Sequence, residues 1–121
     1  MKLIMYRGDS AVFNLAAKQS DGTPLNLTTG TLYFTAKSHS RQADTDALCQ
    51  KSSGTCGGIT VTNASEGLFM VTLSPSDTVD AYAPSYMLWD VQYVTSGGNV
   101  YTLIDGTLLL KADITRSSSY L

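Results

Sequence analysis

Met87-Leu88-Trp89-Asp90-Val91-Gln92-Tyr93-Val94 is the stretch of sequence that decides the fold. Its large apolar side chains at 87, 89, 91 and 93 fall on every second residue, and Asp90 and Gln92 lie between them. Because successive side chains of a β-strand point to opposite faces, this period of two predicts a half-buried strand. Three further stretches alternate in the same way, residues 10–18, 31–37 and 67–74.

Turn sequences separate these stretches. Residues 63–67 and Asp21-Gly22 close loops, and Ser96-Gly97-Gly98-Asn99 and Asp105-Gly106 are each predicted to form a hairpin turn. Glycine and asparagine tolerate the positive φ that tight β-turns require. Short strands with turns at intervals of about 8 to 12 residues are typical of sandwiches and barrels. The sequence therefore predicts an all-β fold, an immunoglobulin-like antiparallel β-sandwich of about eight strands.

One segment departs from the strand pattern. Ser74-Pro75-Ser76-Asp77 has an N-cap serine, a proline at the first helical position and an acidic residue three places after the cap. It predicts one short helical turn within residues 75–82, at a point where immunoglobulin-like chains cross between sheets. Tyr82 or Tyr86 is then a candidate for the corner tyrosine that bonds back to the chain, or else fills the rim of the core.

Composition limits the kinds of function that fit. The 121 residues suit a single domain, 1–121, and only 15% of them are charged, against about 25% in an average domain. The net charge of −2 and the lack of a basic stripe argue against nucleic acid as a partner. No apolar run reaches the length of a membrane span. The apolar start of the chain is too short for a signal peptide, so we expect a cytoplasmic product.

The sequence offers little for catalysis. The single histidine, His39, lies in the polar loop of residues 38–47, without the buried partners that a catalytic triad needs. Asp44 and Asp46 form a D-x-D pair but lack the glycine and distal glutamate of a calcium loop. We therefore expect no enzymatic activity, no metal and no cofactor. Polar loops that project from a sandwich carry function more often than the scaffold does.

Cys49 and Cys56 are the only cysteines. Two cysteines without further cysteine or histidine neighbours do not make a zinc site. A local disulfide across the loop that carries Gly54 is one alternative. Two free thiols in or beside a hairpin are the favoured one for a cytoplasmic protein.

Several phrases, taken in order, carry a resemblance that spans nearly the whole chain. They are Tyr6-Arg7-Gly8-Asp9-Ser10, Asp21-Gly22-Thr23-Pro24-Leu25-Asn26-Leu27-Thr28, Phe34-Thr35-Ala36-Lys37, Gly58-Ile59-Thr60-Val61-Thr62, Val71-Thr72-Leu73-Ser74-Pro75-Ser76-Asp77-Thr78, residues 86–92, Gly106-Thr107-Leu108 and Asp113-Ile114-Thr115-Arg116. The sequence resembles the immunoglobulin-like β-sandwich domain of tailed-phage virion proteins, notably the N-terminal domain of baseplate upper proteins.

This resemblance implies a structural module without cofactor or active site. Such a module is assembled in the host cytoplasm and resides in the virion, where it docks onto tail, baseplate, connector or capsid proteins, in several symmetric copies. The longer relatives continue into coiled or receptor-binding parts that are not found here, so a stand-alone adaptor, tail accessory or capsid decoration protein is expected. The alternative is a host-receptor or carbohydrate-binding module, which would use residues 38–47 and exposed tyrosines such as Tyr33, Tyr82 or Tyr101.

Three segments are candidate protein contacts. The N-terminal segment is expected to pair within its own domain, and strand exchange with a neighbour is the alternative. The polar loop projects from the sandwich, and the C-terminal residues follow the last motif. The candidate residues are Leu3, Ile4, Met5 and Tyr6 in the first segment, His39, Arg41, Asp44 and Asp46 in the loop, and Tyr120 and Leu121 at the end.

Overall fold

The computed structural model describes residues 1–39 and 41–114 of the chain. Its elements are β1 (Lys2–Tyr6), β2 (Ala11–Ala16), β3 (Thr31–Lys37), a 3₁₀ turn (Asp44–Asp46), β4 (Cys49–Ser52), β5 (Ile59–Asn63), β6 (Leu68–Leu73), α1 (Pro75–Thr78), β7 (Ser85–Val94) and β8 (Val100–Lys111). Within the described residues, no helix is long and apolar enough to cross a membrane.

The strands form two sheets. One has five strands in the order β1-β8-β7-β3-β4, and the other has three in the order β2-β6-β5. Neighbours along the chain often lie in different sheets, as in immunoglobulin-like sandwiches with Greek-key connections. The predicted fold, an immunoglobulin-like β-sandwich of eight strands with one short helix, is confirmed.

The core lies between the two sheets and follows the alternation seen in the sequence. On β7, Met87, Trp89, Val91 and Tyr93 are all buried. The Trp89 ring stacks on Phe34 of β3 with centroids 5.7 Å apart, and its indole N–H donates to the carbonyl oxygen of Thr107 at 3.0 Å. The indole thus keeps its polar group satisfied while its ring fills the core.

The sandwich is not wholly antiparallel. β1 pairs with β8 in parallel, from Lys2 opposite Thr107 to Tyr6 opposite Lys111, whereas every other described pair of strands is antiparallel. The reason is topological. β1 and β2 are consecutive but belong to different sheets, so the N-terminal strand cannot form a hairpin and joins the free edge of β8 instead.

The two predicted hairpin turns have different outcomes. Ser96-Gly97-Gly98-Asn99 does connect β7 to β8, with the Thr95 amide donating to the Asn99 carbonyl at 2.9 Å. The prediction for Asp105-Gly106 is wrong, because both residues lie inside β8. A Cβ at Gly106 would lie 1.8 Å from the carbonyl oxygen of Met1. This glycine therefore marks the place where the Met1 backbone lies close against β8 at the start of the parallel pairing, and not a turn.

Helix α1 connects β6 of the smaller sheet to β7 of the larger one, as the sequence predicts. Its capping box is complete, with Asp77 accepting from the Ser74 amide at 2.7 Å. Lys51 of β4 donates to the same carboxylate at 2.8 Å to 3.0 Å. Burial alone would raise the pKa of Asp77, but the bonds from Lys51 and Ser74 outweigh it and lower the pKa. This ion pair ties the crossing to the edge of the larger sheet.

The corner-tyrosine prediction is wrong for both candidates. Tyr82 is 81% exposed in the segment before β7, and Tyr86 is 62% exposed. Tyr86 pairs with Leu109 on the outward face of β7, because the register that buries Met87 and Trp89 turns residue 86 outward.

Both cysteines are free thiols, so the disulfide alternative does not form. Cys49 begins β4 and points into the core, whereas Cys56 is exposed in the turn that follows. Burial, with a smaller contribution from the Asp77 charge, raises the pKa of the Cys49 thiol to about 12. Cys49 therefore acts as a small apolar core residue.

Candidate interaction surface

The outward face of the five-stranded sheet is the face that the second sheet leaves uncovered. The register sorts its side chains into rows that run across the strands. The row of Ile4, Leu109 and Tyr86 is apolar, and the row of Asp105, Asp90 and Thr35, further along the same strands, is polar and acidic. This face therefore has two regions, which we call the apolar stripe and the acidic groove.

The apolar stripe contains Ile4 and Tyr6 of β1, Leu109 of β8, and Tyr86 and Leu88 of β7. Ile4 is 50% exposed, Tyr6 49% and Leu88 44%, while Leu109 is partly buried between its neighbours. Single exposed apolar side chains are normal on a protein surface, but a contiguous group across three strands is typical of interaction sites.

Two lysines flank the stripe and lie on its aromatic rings. The Lys2 ammonium is 5.6 Å from the centroid of Tyr86, and the Lys111 ammonium is 5.4 Å from that of Tyr6. Cation–π contacts at exposed sites are worth about 0.5–1 kcal/mol. They place a positive charge beside each exposed ring of the stripe.

The acidic groove is an open depression of about 490 Å³ in the middle of the same face. Tyr33, Thr35, Asp90, Gln92 and Asp105 are among the residues that line it. Asp90 is directly opposite Thr35 on one side and Asp105 on the other. The volume is within the range of small-ligand sites, about 300–1,000 Å³, but the groove is not enclosed.

The carboxylates of Asp90 and Asp105 are directly opposite each other on β7 and β8. Like charges in this position are unfavourable in a sheet. Burial raises the pKa of Asp90, and the charges of Asp44 and Asp105 add to this while Lys37 partly opposes it. Lys37 itself forms an ion pair with Asp44, whose pKa is lowered by that hydrogen bond and charge. Keeping Asp90 ionised on this face therefore costs free energy.

The polar loop is held at one side of the groove. Gln42 organises it, accepting from the Ser38 amide at 2.8 Å and donating to the Asp46 carbonyl at 2.7 Å. Of the four predicted contact residues in this loop, Asp44 lines the groove. His39, Arg41 and Asp46 are exposed beside it.

The predicted N-terminal contact residues divide between core and surface. Leu3 and Met5 are buried, whereas Ile4 and Tyr6 belong to the apolar stripe. β1 pairs with β8 of its own chain, the first of the two alternatives. Tyr120 and Leu121 lie outside the described residues.

Arg7-Gly8-Asp9, the segment that leaves β1, has a structural role. The Arg7 guanidinium is 2.8 Å from Asp113 and donates to the Ala81 carbonyl at 3.0 Å. The Gly8 amide donates to the buried Thr78 hydroxyl at 2.7 Å, and Gly8 has a φ of 81°. The Arg7 side chain is therefore engaged within the fold.

Within residues 1–39 and 41–114, histidine, cysteine and carboxylate side chains do not gather in groups of three or more able to hold a metal. Immunoglobulin-like sandwiches typically serve as binding modules rather than as enzymes.

Comparison with known proteins adds little to this. No protein family and no curated protein matches the chain by sequence. In three dimensions it is similar to the solved structure of murine CRIg, with a TM-score of 0.45 and 11% sequence identity over 93% of this chain and 92% of that chain. A similarity this low carries no conclusion about partners or function.

Sequence reasoning missed most of this surface. In residues 87–94, Leu88 lies on the same face as Asp90 and Gln92. An apolar side chain among these polar ones is the signal in the sequence that this face is not simply solvated. The turn that the sequence predicts at Asp105-Gly106 does not place Asp105 opposite Asp90. The register between β7 and β8 brings them together.

Proposed function

We propose that this protein is a structural component of a bacteriophage particle, an immunoglobulin-like module that docks onto other virion proteins. The phage setting is supported by the ordered phrases that resemble tailed-phage virion domains. The docking role is supported by the apolar stripe, which is the observation that carries the proposal. A low charge content also favours assembly, because fewer ions must lose water when surfaces meet.

Quantitative mass spectrometry of purified particles tests the virion setting. The particles are taken from a host that carries the gene and are washed in high salt. We expect the chain at a fixed ratio to the major particle proteins. Hundreds of copies per particle would indicate capsid decoration, and a small multiple of three, five or six would indicate the tail, baseplate, portal or vertex. Absence from washed particles would refute the proposal.

A second experiment tests the stripe itself. The variant Tyr86→Ser removes an exposed apolar side chain of the stripe without touching the core or the lining of the groove. We expect it to fold normally and to be incorporated at least tenfold less. Val12→Ser, which changes an exposed side chain on the other sheet, is the matched control and is expected to assemble normally.

A second candidate function, recognition of a host carbohydrate, is favoured by one feature of the groove. It places the Tyr33 ring beside carboxylate and amide side chains, the groups that stack on and bond to sugars. Selective binding on a glycan array, lost in Tyr33→Ala but kept in Tyr101→Ala, would support this function. Tyr101 is the control because it is equally available on β8 but does not line the groove.

A further inference from the structure

β1 lies at one edge of the larger sheet, and no described strand lies beyond it. The Arg7 amide donates to the Lys111 carbonyl, and the Thr107 amide donates to the Met1 carbonyl. In a parallel ladder, these two bonds mean that the N–H and C=O groups of the odd-numbered residues of β1 point towards β8. Those of Lys2, Ile4 and Tyr6 therefore point away from β8, to a side where no described strand lies.

This edge has few of the features that normally prevent strand pairing. β1 contains no proline, its pairing with β8 runs without a bulge, and Lys2 is its one charged residue. Natural proteins protect exposed edges with charges, prolines and bulges, or cover them. An apolar strand of this kind is suited to pairing with another strand.

The sequence of β1 is complementary to itself in one antiparallel register. We propose that β1 pairs with β1 of a second copy about a twofold axis at Ile4, which joins the two larger sheets into one ten-stranded sheet. This register places Ile4 opposite its own copy and Lys2 opposite Tyr6 of the other chain. It is the one that aligns all three residues whose backbone groups are free.

The side chains on both faces of the junction fit this register. On the outward face the two copies of Ile4 meet, and each Lys2, whose ammonium lies 5.6 Å from the Tyr86 ring of its own chain, is opposite Tyr6 of the other copy. On the inward face Leu3 is opposite Met5 of the other copy. A register centred on Lys2 would set the two lysines against each other, which is unfavourable.

The pairing also makes the apolar stripe continuous between the two copies, because Ile4 and Tyr6 lie at its β1 end. An isologous interface of this kind closes as a dimer and leaves no further edge of β1 open. The inference rests on the chain alone and not on the virion setting. A monomer that is still found in particles would refute the dimer but not the proposed function.

The oligomeric state of the purified full-length chain is the first test. We expect a concentration-dependent dimer in sedimentation equilibrium. Ile4→Lys should raise the dissociation constant at least tenfold, because it sets two charges together on the axis. Val12→Lys, on an edge strand of the other sheet, should leave it unchanged. Thermal unfolding of both variants verifies that they are folded.

Disulfide trapping tests the register. The exposed Cys56 is replaced by serine in all variants, and the buried Cys49 is retained. Paired residues at Ile4 would have Cα atoms about 5.5 Å apart, which a disulfide can bridge. We expect Ile4→Cys to form a covalent dimer under mild oxidation. Tyr6→Cys alone should not, but a mixture of Lys2→Cys and Tyr6→Cys chains should.

Two results would overturn the inference. One is that the wild-type chain stays monomeric at millimolar concentration and the Ile4→Cys variant forms no covalent dimer. The other is a dimer whose stability is unchanged by Ile4→Lys. If the chain becomes a dimer only after truncation following Ile114, the edge is covered by its own last residues, and the inference is likewise wrong.

Discussion

Gly106→Ala tests the close approach of the Met1 backbone to β8. The added Cβ would lie 1.8 Å from the Met1 carbonyl oxygen and 2.8 Å from the Met1 carbonyl carbon. Both atoms belong to the backbone, so no side-chain rotation relieves the clash. An ordinary carbon–oxygen contact is about 3.3 Å, so the N-terminal backbone must move by roughly 1.5 Å.

A movement of that size breaks the two hydrogen bonds that hold this segment. They run from the Thr107 amide to the Met1 carbonyl at 3.0 Å and from the Met1 ammonium to the Asp105 carbonyl at 3.2 Å. Each is worth about 0.5–1.5 kcal/mol, so we expect unfolding to require about 1–3 kcal/mol less free energy. The rest of β1 remains paired.

Urea unfolding followed by Trp89 fluorescence measures this loss. With a slope of about 1–3 kcal/mol per molar, the midpoint should fall by about 1 M. Gly97→Ala is the matched control, because its Cβ would meet nothing nearer than the Thr95 hydroxyl at 3.9 Å. If Gly106→Ala unfolds within about 0.5 kcal/mol of the wild type, the close approach is not real and the hairpin expectation for Asp105-Gly106 regains its place.

Three further predictions concern stability. Lys51→Met leaves the partly buried Asp77 carboxylate without its cation, so it should lower the free energy of unfolding by about 1–3 kcal/mol at pH 7. Because the pKa of Asp77 is lowered in the folded protein, this loss should shrink as the pH falls below about 4, as measured by urea titration. The pKa of Asp90 is raised, so its charge destabilises the fold above that pKa; Asp90→Asn should stabilise by about 0.2–1 kcal/mol at pH 7, with no difference at pH 3. Deletion of residues 1–6 removes two core side chains, each worth about 1.5–3 kcal/mol, and should abolish cooperative thermal unfolding; a well-folded deletion variant that fails only to assemble would contradict this.

The alternation of apolar residues was enough to predict the sandwich. On β7 the buried set of Met87, Trp89, Val91 and Tyr93 is the set that a period of two selects. The capping signal at Ser74 likewise located α1, because proline and acidic residues act within one turn. These are local signals, and a single strand or cap contains all the information that they need.

β4 was not anticipated. Cys49-Gln50-Lys51-Ser52 has no apolar alternation, since its only buried apolar side chain is a cysteine. It is a strand because it extends β3 at the sheet edge, where backbone pairing needs no particular side chains. The ion pair of Lys51 with Asp77 then fixes it to α1.

The error at Asp105-Gly106 originates at the N-terminus. Sequence periodicity cannot show that residues 1–6 return to β8, more than a hundred residues along the chain, and this one long-range contact places Gly106 inside a strand against the Met1 backbone. It also explains the apolar stripe. β1 is apolar on both faces, because Leu3 and Met5 fill the core while Ile4 and Tyr6 lie outside. A strand that needed only the core would carry polar residues at 4 and 6. The outward pair is therefore the feature from which we infer a contact with another chain.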